Sequence, residues 1–240
     1  MTETERQTII ETMLYFSAQK RLATVEELYR YQVRGRIPRD RISSIIGTIP
    51  EIRFERGLYG FADEFKQLQT LRQEKQRETL RRLRKIQRYG RVLISLPYVR
   101  AIFVAGSLSF STGNAKKSSD IDVFVVLAPH RIWLGRLYLT LVTHVLGIRR
   151  RGEYDENLFC LNHYVTSDNL SRYDHDLYSA ELYSDYIAIG SSSQEVLEQF
   201  WTQNSWTRNW FPKNQWRLYT GISDLKPYWW HKPYEQLVEF

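Results

Sequence analysis

Four residues of this chain combine type and spacing in a way that implies chemistry. The apolar run Ile102-Phe103-Val104-Ala105 ends in Gly106-Ser107. A polar loop, 107–119, then leads to Asp120-Ile121-Asp122 and a further run of apolar residues. In a strand, residues i and i+2 point to the same face, so Asp120 and Asp122 project side by side while Ile121 and Val123 face the core. Two carboxylates this close repel unless a cation lies between them. Hard oxygen ligands of that kind suit Mg²⁺ or Mn²⁺. Glycine permits close backbone approach, and the Gly106-Ser107 bend offers amides and a hydroxyl to phosphate oxygens. Metal and phosphate cradle together are the apparatus of in-line displacement at phosphorus. Lys116 and Lys117, in the same loop, are either solvated or within reach of a polyphosphate.

The elements that must hold these residues can be read from periodicity. A strongly basic helix spans about 64–93, with a partial apolar stripe of Leu68, Leu71, Leu80, Leu83 and Ile86. A strand over 98–105 precedes the loop, and a second, 120–127, follows it. An apolar stretch, 132–148, carries Arg136 and His144 and is short for a membrane span of roughly 20 residues, so it predicts a buried helix. A third strand spans 158–165. Helix, strand, loop, strand, helix, strand is the signature of an α/β or α+β unit. Ahead of it, residues 5–18 have helical spacing, Thr24-Val25-Glu26-Glu27 has the form of a capping box, and Pro38-Arg39 opens a third helix. Ile52–Glu55 and Leu58–Phe61 flank Arg56-Gly57 as a hairpin. Beyond about 168 the pattern is helical and rich in Trp and Tyr.

Gly-Ser followed nine to thirteen residues later by Asp-x-Asp on an apolar strand resembles the polymerase-β-type nucleotidyltransferase superfamily, especially its minimal bacterial and archaeal members. The resemblance covers roughly 64–168, and the three helices and hairpin before it resemble a winged helix-turn-helix. The fold implied is α+β: a winged-helix-like domain (1–62), a nucleotidyltransferase-like core with a short mixed sheet and a leading basic helix (63–170), and a helical, aromatic-rich region (171–240). By position, the resemblance implies that Gly106 and Ser107 hold a nucleoside triphosphate, with Lys116 and Lys117 as further contacts. Asp120 and Asp122 would bind two Mg²⁺ ions, and the reaction would move a nucleoside monophosphate to an acceptor: RNA, protein or small molecule. The family's third carboxylate has no evident counterpart. The corresponding strand, Phe159-Cys160-Leu161-Asn162-His163-Tyr164-Val165, offers Asn162, with Asp168 after it or Asp155 and Glu156 before it as substitutes. His163 adjoins Asn162.

Composition narrows the classes. Of 240 residues, 34 are Lys or Arg and 27 are Asp or Glu, a net +7 that suits an anionic partner. A single cysteine, Cys160, excludes an internal disulfide and predicts a reducing, cytoplasmic setting. The polar N-terminus lacks the apolar stretch of a signal peptide, and no membrane partner is expected. Nucleic acid is a candidate partner through the winged helix, where Arg39, Arg41, Ser43 and Ser44 would reach bases and Arg53 and Arg56 phosphates, and through the basic helix. The winged helix equally suits a protein partner, and the basic helix reads most simply as a solvated face. Arg149-Arg150-Arg151 complements the negative end of a helix. Trp201, Trp206, Trp210 and Trp216 read as packing residues. Competing functions are a nucleotide-sensing or DNA-binding regulator with an impaired core, and an antitoxin-like modifier of a separate ribonuclease.

Overall fold

The computed structural model describes residues 2–109, 115–152, 156–213 and 217–218; for Asn162, Arg217 and Leu218 it describes the backbone alone. Gly113, Asn114, Asp155 and Trp216 lie outside the described residues. In chain order the elements are α1 (Glu3–Ala18), α2 (Val25–Arg30), α3 (Arg39–Ile46), β1 (Ile52–Glu55), β2 (Leu58–Phe61), α4 (Phe65–Ile94), β3 (Val99–Val104), β4 (Ile121–Leu127), α5 (Ile132–Val145), β5 (Phe159–Thr166), α6 (Leu177–Asp185), β6 (Ile187–Ser191), α7 (Gln194–Gln203) and β7 (Arg217–Leu218). The fold is mixed α+β. The chain divides into two compact units: 1–75 with 174–184 and 206–215, and 76–173 with 185–205 and 216–240.

In the first unit, capping boxes set the starts of two helices. Thr2 and Glu5 close one at α1; Thr24 and Glu27 close the other at α2, satisfying orphan amides at both. β1 and β2 pair antiparallel, Arg53 opposite Gly60, around a turn in which Arg56 and Gly57 take φ of +52° and +80°. The core gathers Ile9, Met13 and Phe16 of α1, Ile42 and Ile45 of α3, and Phe211 from the distal chain. Glu27, in the first turn of α2, is buried. Its carboxylate accepts from the Thr24 amide at 2.8 Å and from Arg72 Nη2 at 3.0 Å. Trp206 and Trp210 pack against this core as half-buried residues, Trp206 stacked on His175 at 4.2 Å.

The second unit is built on a five-stranded mixed sheet of order β5-β4-β3-β6-β7. β3 runs antiparallel to both β4 and β6, while β4–β5 and β6–β7 are parallel. A parallel pair requires a crossover, and α5 supplies it between β4 and β5. α5 lies close on the sheet because of Gly135, where a Cβ would stand 2.6 Å from Leu127 Cδ2. One sheet face packs Val99, Ile102, Ile121, Val123, Val125 and Ile187 against Leu83 and Ile86 of α4 and Leu139 of α5. The other carries an aromatic cluster: Phe103 and Phe200 at 4.5 Å, Phe124 and Tyr186 at 4.9 Å, Phe124 and His163 at 4.8 Å. β6 falls in the stretch expected to be helical. Ile187-Ala188-Ile189-Gly190 is a short buried apolar run, which periodicity alone cannot assign to strand or helix. Among the described residues no helix is long and apolar enough to cross a membrane.

Candidate functional site

Asp120 immediately precedes β4 and Asp122 is its second residue, so the pair sits at the strand's N-terminal end, both half-buried. β3 runs antiparallel to β4 and delivers its C-terminal end to the same place. The Ala105 amide donates to the Asp122 carbonyl at 3.0 Å. Gly106 then takes φ +62°, and a Cβ there would lie 2.7 Å from Asp122 Oδ2. Glycine is therefore required twice at 106, by backbone hand and by the close approach of a carboxylate. Gly106–Leu108 forms a 3-10 turn with Ser107 half-buried, closed by the Ser109 hydroxyl donating to the Gly106 carbonyl at 2.8 Å. The glycine–serine bend and the aspartate pair thus adjoin.

The neighbouring strand adds a residue that the sequence reading did not place here. Asp122 pairs with Cys160, whereas Phe124 pairs with His163: two steps along β4 match three along β5. This bulge, one extra residue in β5, turns Cys160 beside Asp122 and leaves Asn162 between the two pairings. Ligand atoms of Asp120, Asp122 and Cys160 all lie within 4.8 Å of one another. Ligands on opposite sides of one small divalent ion would stand about 4.2 Å apart, so the three reach a common ion with slight adjustment. Two carboxylates and a thiol are a mixed donor set, more tolerant of Mn²⁺ and softer cations than an all-oxygen site.

Electrostatics mark the cluster. Burial raises the Asp122 pKa above the ordinary carboxylate range, and the neighbouring Asp120 raises it further, against the opposing effects of Cys160 and Arg150. Burial, then Asp122 and Asp120, push the Cys160 thiol up to about 12. Arg150 donates to Asp120 Oδ2 in a close ion pair, and its own pKa rises on account of that bond. Arg150 reaches this position because α5 ends just before it and its backbone amide bonds the Phe159 carbonyl at 3.0 Å, beside the start of β5. The helix-end role expected of the arginine cluster therefore gives way, at Arg150, to a carboxylate partner.

The loop leading to Asp120 is held from below by a buried cation. Arg82 of α4 has no exposed surface. Its guanidinium donates to the carbonyls of Lys116 and Lys117, each at 2.8 Å, and Ser119 at 2.7 Å. Glu78 balances its charge at 2.9 Å. Lys85, one turn on, donates to the Asn157 carbonyl at 2.7 Å, and the Asn157 amide returns to the Ser119 carbonyl at 3.1 Å. α4 so fixes the approaches to both Asp120 and Cys160.

Other expected residues fall elsewhere. The side chains of Lys116 and Lys117 are exposed. Asp168 lies past the far end of β5: Thr166 pairs with Leu127, so Asp168 is roughly 20 Å along the strands from Asp122. It is exposed, and a hydrogen bond with Thr166 lowers its pKa. Glu156 is exposed. His163 belongs to the aromatic cluster, 3.5 Å from Tyr186 Oη, with its pKa lowered by burial and by Arg172. Cys160 could have been found only through the bulge, which leaves no mark in the alternation of residue types. Comparison with protein-family models, curated proteins and solved structures finds no match for this chain.

Proposed function

We propose that the second unit is a divalent-cation-dependent nucleotidyltransferase core, moving a nucleoside monophosphate from a nucleoside triphosphate to an acceptor hydroxyl. The observation that carries this reading is the close approach of Gly106 to Asp122, which sets the glycine–serine bend against a paired carboxylate. The sheet supports it: an antiparallel β3–β4 pair brings bend and aspartates together, and parallel β5 adds a third ligand. In this reading the three helices and hairpin within the first unit are a winged-helix-like module.

Asp120, Asp122 and Cys160 would hold Mg²⁺ or Mn²⁺, which would supply charge neutralisation on a bound triphosphate. Amides at Gly106 and the Ser107 hydroxyl take the phosphate oxygens. The acceptor oxygen forms a bond to the α-phosphorus, the bond from that phosphorus to the α–β bridging oxygen breaks, and pyrophosphate leaves. The acceptor proton passes to solvent water as the new bond forms. Arg150, bonded to Asp120 Oδ2, would compete with the ion for that oxygen.

One observation favours a second reading. Arg150 already supplies a cation to Asp120, and a thiol stands where a third carboxylate would act, an arrangement suited to a nucleotide-binding regulator that performs no transfer. A single assay separates the two. Incubation with α-³²P-labelled nucleoside triphosphates, Mn²⁺ and total cellular RNA or protein should label an acceptor, and Asp120→Ala and Asp122→Ala should abolish it. Nucleotide binding with no labelled acceptor overturns the transferase reading in favour of the regulator.

A further inference from the structure

The charges of this chain are segregated. Between residues 79 and 152 there are fourteen Lys and Arg and only two acids, Asp120 and Asp122. The rest of the chain has twenty Lys and Arg against twenty-five acids. The core is thus a polycation whose sole carboxylates over this stretch are the site pair, embedded in an otherwise acidic chain. Such a field favours a polyanion at the core.

The structure gives this charge a shape. Arg77, Arg81, Arg84, Arg88 and Arg91 recur at steps of four and three along α4 and are all exposed. That spacing lines them on one helix face. They rise by about 5 Å each and extend over about 21 Å. Leu83 and Ile86, in between, pack the opposite face into the core. Glu78 reaches Arg81 at 3.8 Å and Arg82 at 2.9 Å, and no acid follows it on α4. The first unit differs. There Arg39 holds Glu26 at 2.9 Å, Arg41 holds Glu5 at 2.6 Å and Arg53 holds Glu55 at 2.7 Å.

We propose that the arginine ladder of α4 docks the sugar–phosphate backbone of a nucleic-acid strand. Guanidinium groups match phosphate bidentately, and a regular row of them fits a polymer with a regular row of phosphates better than a single anion. The face is nearly free of apolar side chains, Leu80 being its one large exception, whereas membrane-surface helices bury an apolar face. α4 is also the helix whose Arg82 and Lys85 grip the approaches to Asp120 and Cys160. Where the transferase reading holds, on which this last step rests, the docked strand is the acceptor.

Fluorescence anisotropy of the full chain with labelled 20-mer RNA, single-stranded DNA and duplex DNA tests the docking. At low salt at least one of the three should bind. Arg84→Ala/Arg88→Ala should weaken binding by tenfold or more and lower the salt slope by about 1.4, at ~0.7 per lost single-strand phosphate contact. Alanine at exposed helix positions preserves the helix, and an unchanged melting temperature verifies it. Arg39→Ala/Arg41→Ala should bind as the wild type does. Binding of a strand that takes no label in the α-³²P assay removes the strand as acceptor and leaves the docking standing. No binding of any oligonucleotide overturns the proposal. Loss through Arg39 and Arg41 instead of Arg84 and Arg88, or preference for phosphatidylglycerol vesicles over every oligonucleotide, does so equally.

Discussion

Cys160 stands beside Asp122 across the parallel β4–β5 ladder, and its buried thiol shares the carboxylate's surroundings with Asp120. A thiol in that position sets the chemical preference of the site. Cys160→Asp should convert the cluster to all-oxygen and improve Mg²⁺ binding. Cys160→Ala should lower affinity for Mn²⁺ more than for Mg²⁺. Titration calorimetry with each ion reads both effects, and an unchanged Mn²⁺-to-Mg²⁺ ratio in Cys160→Ala removes the thiol from the ligand set.

Arg150 and a divalent ion compete for one carboxylate. Arg150→Ala should therefore tighten Mn²⁺ binding by up to about fivefold, the range of a partly exposed ion pair. Weaker binding in this variant would show that Arg150 organises Asp120 for the ion rather than opposing it.

Asp122 gives a pH dependence with a defined sign. Its pKa is raised in the folded chain, so folding favours its protonated form. That contribution is complete below the unfolded value of about 3.9 and is lost as pH rises through the folded value. Without divalent ions, Asp122→Asn should melt above the wild type at pH 7 to 8, and the difference should vanish as pH approaches 4. Mn²⁺ should reverse the order, stabilising the wild type alone. Equal melting temperatures at pH 8 would place the charge strain elsewhere.

Glu27 gives the opposite sign. Burial opposes its charge, yet Arg72, the Thr24 amide and Arg21 hold its pKa below the ordinary value. The stabilisation is present at neutral pH and is lost as pH falls through the folded value. Glu27→Gln leaves Arg72 buried without its carboxylate and should cost about 3–5 kcal/mol at pH 7. Denaturant unfolding at pH 7 and pH 3 checks this; the difference between variant and wild type should shrink at the lower pH.

Local chemistry made much of this structure legible from residue types. Thr24 and Glu27 announce a helix start because the reciprocal hydrogen bonds lie within one turn. Gly106-Ser107 and Asp120-x-Asp122 predict their own adjacency, since an apolar strand on each side leaves a hairpin-like return. What escaped depends on pairings across the sheet. The β5 bulge falls between the pairings of Cys160 with Asp122 and of His163 with Phe124. The buried run Ile187–Gly190 declares itself a strand only by pairing with β3. Arg150 was legible as a helix-end cation, but its carboxylate partner is thirty residues away.

Arg82 grips main-chain carbonyls, and every residue type carries one. The outward groups at 116–118 are thereby uncoupled from the architecture that holds them. Selection, or an engineer, can rewrite what this rim presents to a ligand while the frame beneath it stays unchanged. A single internal guanidinium thus makes the rim of the site an interchangeable part.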